Sequence, residues 1–361
     1  MMTRKRLIIS PFALTSMLSM VFLGARGGTS GEMNEILKLD DMVTFNPHLV
    51  FKNITESVEH SKDSSIASSA FVREIFSDRI NGKILQFFKE KTQQLYSGHV
   101  EEVNFNVVND IIRRRTNLLI KRHTMGKVME YLRTNSVWVN GPLLSESNFH
   151  PSIRQRRLIP IPAVVFRAGF TAGYDPDLDA TVVAFGTTYE TVSTIYIMPG
   201  QQGLAAPGDN LERLEHNLVD TAITKNSWSR LLTSLMERPG LEVQLPRFSH
   251  RSFINASMGL QRMGLKTLFH SDNADLRGLT GLANKDVYLS DMVQINTFST
   301  SFYDDLLNPK YLELPLPLRP RQARIPESPR LRFDKPFLYF VRHNPTGMIL
   351  FMGRFNPRLL P

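Results

Sequence analysis

The order in which two hydrophobic periodicities occur along the 361 residues constrains the fold more than any single motif. An apolar repeat of about 3.6 residues dominates the first third, near residues 13–24, 30–38, 66–78, 82–96 and 107–122, and returns at 209–217, 225–236 and 256–268. Short β-branched or aromatic runs bounded by turn residues lie between and after these: Val137 to Val139, Ala163 to Phe166, Ala180 to Phe185, Thr191 to Met198, Leu241 to Leu245, Phe337 to Val341 and Met348 to Met352. Near the start, Leu7-Ile8-Ile9-Ser10 reads as a short strand stopped by Pro11. Met17, Met20, Val21 and Gly24 then recur at helical spacing before the turn Arg26-Gly27-Gly28-Thr29-Ser30-Gly31. A doubly wound parallel sheet needs regular strand–helix alternation, which is absent. The pattern therefore predicts an α+β domain with large mixed or antiparallel sheets. A hydrophobic content of 42% suffices for one large core or two ordinary ones.

Several function classes drop out on composition. With no cysteine there is neither a disulfide framework nor a thiolate metal site. No run of eighteen uncharged apolar residues stands clear of Pro, Gly or a charge, so no membrane partner is expected. The basic Met1 to Arg6 followed by apolar Leu7 to Ala25 is how a signal peptide reads, but strand, helix, turn, helix explains more of it. The glycine-rich turn lacks the Gly-Lys-Ser/Thr ending of a phosphate loop. There is also no Gly-X-Ser-X-Gly elbow, His-Glu-X-X-His pair, Gly-X-Gly-X-X-Gly or paired-aspartate loop, and the nine histidines are scattered. The expectation is a protein that is not an enzyme and uses no cofactor or metal. The net charge of +9 favours acidic partners. Much of it sits at Arg113, Arg114, Arg115, Lys121, Arg122 and Lys127, with Arg154, Arg156 and Arg157 further on; a solvated helix face followed by a basic loop is the first reading, a polyanion patch the second, and nucleic acid is not expected. Asn53-Ile-Thr55 and Asn255-Ala-Ser257 are glycosylation sequons if the chain is secreted, whereas Pro345 disqualifies Asn344.

What goes further is a resemblance carried by the C-terminus. Phe333-Asp334-Lys335-Pro336-Phe337-Leu338-Tyr339-Phe340 and Arg342-His343-Asn344-Pro345-Thr346-Gly347 lead into Ile349-Leu350-Phe351-Met352-Gly353-Arg354 and Asn356-Pro357. This run resembles the closing hairpin of serpins, in an arthropod-like form. Upstream, Ile9-Ser10-Pro11-Phe12, Gly24-Ala25-Arg26-Gly27, Asn117 with Thr124 to Val128, Val139-Asn140, and Ala274 to Thr280 with Leu289-Ser290 keep the same register. The resemblance spans about residues 7–357 and implies a single serpin domain over 1–361: three β-sheets, a helical N-terminal half and an exposed reactive-centre loop at about 297–332. Serpins usually have a further helix before the strand that begins here at Leu7, so the domain reads as short at its N-terminus. A monomer, secreted by family habit although the chain as written carries no clear signal peptide, is the matching expectation.

In inhibitory serpins a protease cleaves the exposed loop, whose N-terminal half then inserts as a new central strand in the main sheet and drags the acyl-linked protease with it. The resemblance implies that this inserting hinge should read Glu-Glu-Gly-Thr followed by alanines. By register, Gly-Thr becomes Asp304-Asp305 here and the alanine run becomes Leu306-Leu307-Asn308-Pro309. An unpaired carboxylate entering a dry interior costs several kcal/mol, and Pro309 removes a ladder donor from a would-be central strand. In the sheet-opening region Asn140 matches the family, but Asn148 and Leu119 stand where serpins usually carry tryptophan. Past the hinge the loop is long and rich in proline and arginine. Arg319, Arg321 or Arg324 would suit a trypsin-like protease, although Arg319-Pro320 is a poor cleavage site. The expected function is therefore a non-inhibitory serpin acting as an extracellular binding or regulatory protein. Inhibition of a trypsin-like serine protease is the alternative, and a defective or truncated product the third.

Overall fold

The computed structural model describes residues 7–39, 46–59, 71–78, 83–103, 109–123, 163–167, 169–186, 190–200, 210–224, 226–281, 287–300 and 329–356. The chain begins with strand β1 (Leu7–Ile9) and helices α1 (Pro11–Phe22), α2 (Gly27–Leu37) and α3 (Pro47–Glu59). There follow β2 (Glu74–Asp78), α4 (Gln86–Tyr96), β3 (His99–Val103) and α5 (Asn109–His123). Strands β4 (Ala163–Phe166), β5 (Phe170–Asp175), β6 (Ala180–Phe185) and β7 (Val192–Pro199) precede α6 (Asn210–Thr224) and α7 (Ser227–Thr233). The remainder comprises β8 (Glu242–Pro246), β9 (Ser249–Asn255), α8 (Ser257–Arg262), a 3-10 turn (Thr267–Phe269), α9 (Arg277–Thr280), β10 (Val293–Ser299), β11 (Arg330–Arg332), β12 (Phe337–His343) and β13 (Ile349–Phe355).

Six strands form an antiparallel sheet in the order β1-β13-β12-β7-β6-β5. One face packs on β4, β8, β9 and β11 through a core containing Phe166, Phe185, Tyr196, Phe248, Phe337, Tyr339 and Phe355. Phe248 lies at its centre, with ring centroids 4.4 Å from Phe355 and 5.6 Å from Tyr339. The other face carries Val182, Ile195, Ile197 and Leu338 against Leu214 and Leu231 of α6 and α7. This two-sided burial explains why β6 and β7 read as continuous apolar runs. Helix α1 is started by Ser10, whose Oγ accepts the Ala13 N–H at 3.0 Å, with Pro11 at the first helical position. Phe12, Leu18, Met20 and Val21 bury its inner face, so the N-terminal strand–helix reading holds.

Other expectations are corrected. Residues 66–78 do not form one helix: 74–78 are strand β2, paired in parallel with β3, because Phe71 and Ile75 mimic helical spacing while Glu74, Ile75 and Phe76 alternate across a sheet. Helix α3 went unseen. The segment 256–268 breaks at Gly264, whose φ of +113° no helix accommodates. The α+β, multi-sheet expectation holds: among the described residues the strands form four hydrogen-bonded groups, the six-stranded sheet, the trio β11-β8-β4, and the pairs β9–β10 and β2–β3. The strand expected at Val137 to Val139 lies outside the described residues.

Candidate functional site

The two ends assigned to the loop are strand, which narrows the 297–332 assignment. Residues 297–299 complete β10 and 330–332 form β11, while the hinge Asp304 to Pro309, the candidate cleavage residues Arg319, Arg321 and Arg324, and Asn140 and Asn148 lie outside the described residues. What can be described is how the chain is anchored on each side.

On the entry side, β10 pairs with β9 in antiparallel register from Val293↔Asn255 to Ser299↔Ser249. Thr300 extends the ladder: its N–H donates to the Phe248 carbonyl at 3.0 Å, and its buried hydroxyl accepts the Phe248 N–H at 2.8 Å. The Phe298 ring stacks on Tyr339 at 4.5 Å. Beneath the pair runs a buried polar seam. The Ser10 N–H donates to Gln294 Oε1 at 3.2 Å, and Gln294 Nε2 donates to the Ser10 carbonyl at 2.7 Å. Asn296 Nδ2 donates to Gln294 Oε1 at 3.1 Å and to the Ile8 carbonyl at 3.2 Å, while Ser252 Oγ donates to that same carbonyl. Ser10 Oγ reaches the Leu350 carbonyl at 2.6 Å. Ser10, Ser252, Gln294 and Asn296 are all buried. Buried amides make their bonds at well-defined positions, so this seam fixes β9 and β10 against β1 and the start of α1.

On the exit side, β11 adds to β8 as a parallel edge strand, Arg330↔Glu242, Leu331↔Val243 and Arg332↔Gln244. Leu331 and Phe333 are buried in the main core. Glu242, also buried, accepts from Arg330 Nε at 2.9 Å on one side and from Arg167 Nε at 3.0 Å on the other. Its carboxyl is held below the usual range, chiefly by the Arg330 hydrogen bond.

Helix α5 carries the basic residues read from the sequence. Arg114, Lys121 and Arg122 are exposed, and Leu119 is half-buried on the same helix. Arg115 leaves that group, because it forms an ion pair with Glu101 of β3. Next to it Thr116 Oγ1 donates to Glu74 Oε2 at 2.6 Å, and burial pushes the Glu74 carboxyl up. The side chain of Arg113 lies outside the described residues. Of the sequons, Asn53 is exposed on α3. Asn255 is occupied structurally: its Nδ2 donates to Asp291 at 2.9 Å and its Oδ1 accepts the Ser257 N–H at 3.0 Å. Among the described residues no group of three or more His, Asp or Glu could hold a metal ion, and no helix is long and apolar enough to cross a membrane.

The described chain thus leaves the β9–β10 pair after Thr300 and resumes at Pro329 as the short strand β11, before the β12–β13 hairpin. The family profile described as Serpin (serine protease inhibitor) matches residues 2–140 and 143–357. The chain belongs to the serpin family. Human leukocyte elastase inhibitor is 25% identical, over 97% of this chain and 92% of that protein. Among solved structures, thyroxine-binding globulin in complex with thyroxine gives a TM-score of 0.71 at 19% identity, covering 99% of this chain and 94% of that one. Native protease nexin-1 with heparin gives 0.68 at 20% identity, covering 98% and 92%. The α+β serpin fold is thus established. Sequence reading missed Gln294, Asn296, Ser252 and Glu242. The signal for the first two is a pair of amides alternating with apolar residues, Val293-Gln294-Ile295-Asn296, which places both on the strand's buried face.

Proposed function

We propose that this serpin is cut in its loop without trapping the protease that cuts it, and acts as a binding or regulatory protein outside the cell. The observation that carries the reading is the hinge Asp304-Asp305-Leu306-Leu307-Asn308-Pro309. A strand added beside β10 would send alternate side chains toward the interior on which Phe298, Tyr339 and Phe248 stack. Alanine slides over such a surface. Asp304 or Asp305 would arrive there as an unpaired charge, several kcal/mol uphill, and Pro309 would leave a ladder position without a donor. Insertion stalls, deacylation proceeds, and the loop behaves as a substrate.

The test is thermal. Insertion adds a full set of ladder hydrogen bonds and buried contacts, so an inserting serpin melts far higher after cleavage. Cutting within 319–330 should leave Tm nearly unchanged here. A rise on the order of tens of degrees, which corresponds to many kcal/mol in a chain of this size, would defeat the proposal.

The likeness to leukocyte elastase inhibitor favours a second reading, inhibition of a serine protease of trypsin-like specificity, with Arg319, Arg321 or Arg324 before the cut. Two further proposals attach to the first. The exposed Arg114, Lys121 and Arg122 with the +9 charge support polyanion binding at α5, in line with a heparin-bound structure among the fold's neighbours; it would weaken steeply with salt. Secretion is supported by family habit and by the exposed Asn53 sequon; a mobility shift on treatment with peptide N-glycosidase, lost in Asn53→Gln, tests it.

A further inference from the structure

Strand β11 is a weak strand by its backbone alone. It is three residues long, parallel and at a sheet edge, and Pro329 before it has no N–H to give. Its main-chain ties at the two ends are the Glu242 N–H to the Pro329 carbonyl at 2.9 Å and the Phe333 N–H to the Gln244 carbonyl at 3.0 Å. Leu331 and Phe333 add apolar anchors. Against this background stands Glu242, 7% exposed, with an arginine from β11 and one just past β4 on its two oxygens: Arg330 Nε and Nη2 on Oε2 at 2.9 and 2.5 Å, and Arg167 Nε on Oε1 at 3.0 Å. A buried carboxylate with a fork-like guanidinium contact is among the stronger polar interactions a surface strand can have. The two arms are not equivalent: Arg330 belongs to β11 and is one-third exposed, whereas Arg167 follows β4 and is 63% exposed.

We propose that Glu242 and Arg330 form a charge latch that holds β11 in the sheet, making Arg330 a positioning residue for the loop that ends one residue before it. With the latch closed, the C-terminal end of the loop starts from a fixed point beside β8, and the Arg332–Phe333 bond is shielded because Phe333 is buried. With it open, β11 frays, Phe333 leaves the core, and the loop's far end gains several residues of slack. The consequence for what a protease meets rests on the loop being its docking segment, as proposed above; the latch itself does not.

Three variants of the full chain separate the latch from general stability. Arg330→Gln and Glu242→Gln remove the charge on the β11 arm, and Arg167→Gln removes one on the β4 arm. Hydrogen exchange across 330–333 is followed by mass spectrometry with 349–355 as an internal reference, alongside the products of limited trypsin digestion. In Arg330→Gln and Glu242→Gln, exchange at 330–333 should rise about tenfold or more, the ratio expected for losing a hydrogen bond to a charged group. A fragment beginning at Phe333 should appear while 349–355 stays protected. Arg167→Gln should behave as the parent. Unchanged exchange and cleavage in Arg330→Gln would overturn the latch, as would equal effects from Arg167→Gln; should Glu242→Gln fail to fold, Arg330→Gln alone decides. None of these readouts requires or excludes covalent trapping, so the latch and the non-trapping reading fail separately.

Discussion

Replacing Gln294 by alanine removes the centre of the buried seam, and the structure sets the scale of the loss. Gln294 satisfies the Ser10 N–H and one N–H of Asn296, and gives the Ser10 carbonyl a second donor beside the Leu14 N–H at 3.1 Å; Ser10 is fully buried. Orphaning a buried polar group costs about 1–3 kcal/mol, so the two orphaned N–H groups bound the loss at roughly 2–6 kcal/mol. A water entering the space vacated by the side chain can recover part of this, since the site is polar on several sides; about 3–4 kcal/mol is the expected net loss. With an unfolding entropy near 2 cal/mol/K per residue, the 361 residues give about 0.76 kcal/mol/K, and Tm should fall by about 4–5 °C. Urea unfolding of the parent, Gln294→Ala, Asn296→Ala and the double variant measures both the loss and its coupling. Because Asn296 donates to Gln294 Oε1, the cycle should show a coupling of at least about 0.5 kcal/mol. A loss below about 1 kcal/mol, or two strictly additive substitutions, would show that the seam does not hold β10 as argued.

Burial depresses the imidazoles of His48, His99 and His343, so the unfolded chain binds more protons at these sites below their ordinary value of 6.5. Stability at these sites should therefore rise as pH is raised from about 5 through 6.5 and level off above, and His343→Gln should flatten the slope in a pH series of urea midpoints. Arg73 is buried, its pKa lowered to about 10 by desolvation, and its guanidinium donates to Ser16 Oγ, the Tyr96 carbonyl and Thr55 Oγ1 at 2.8, 3.0 and 3.1 Å. Arg73→Met should cost about 3–5 kcal/mol in urea unfolding by leaving that pocket unsatisfied. A methyl group on Gly353 would lie 2.2 Å from the Tyr339 ring, so Gly353→Ala should cost about 1–3 kcal/mol or abolish soluble expression. Changing Asp304-Asp305 to Gly-Thr and Leu306 to Lys310 to alanine should raise the Tm of the cleaved protein partway toward that of an inserting serpin, read by differential scanning calorimetry before and after trypsin.

What the sequence made legible was local. Ser10-Pro11 announces a helix start by chemistry confined to three residues, and the apolar runs of β6, β7 and β12 are dense enough to need no partner to be recognised. Strands whose exposed faces are charged were harder. β3 reads His-Val-Glu-Glu-Val and β9 reads Ser-His-Arg-Ser-Phe-Ile-Asn, so neither stands out from a loop until its neighbour supplies the other half of the face. The anchors were invisible for a different reason: Gln294 meets Ser10 across 284 positions and Arg330 meets Glu242 across 88, and no periodicity connects residues so far apart. The hinge and the candidate cleavage residues came from register against a known family, and the described anchors now bracket them between Thr300 and Pro329.

The most direct test of the non-trapping account is to incubate the protein with catalytic amounts and then with stoichiometric trypsin and resolve the products on a denaturing gel. The account predicts a loop-cleaved protein, cut after Arg321 or Arg324, with all of the trypsin running free and fully active. An SDS-stable band at the combined mass of the two proteins, with matching loss of trypsin activity, would contradict it.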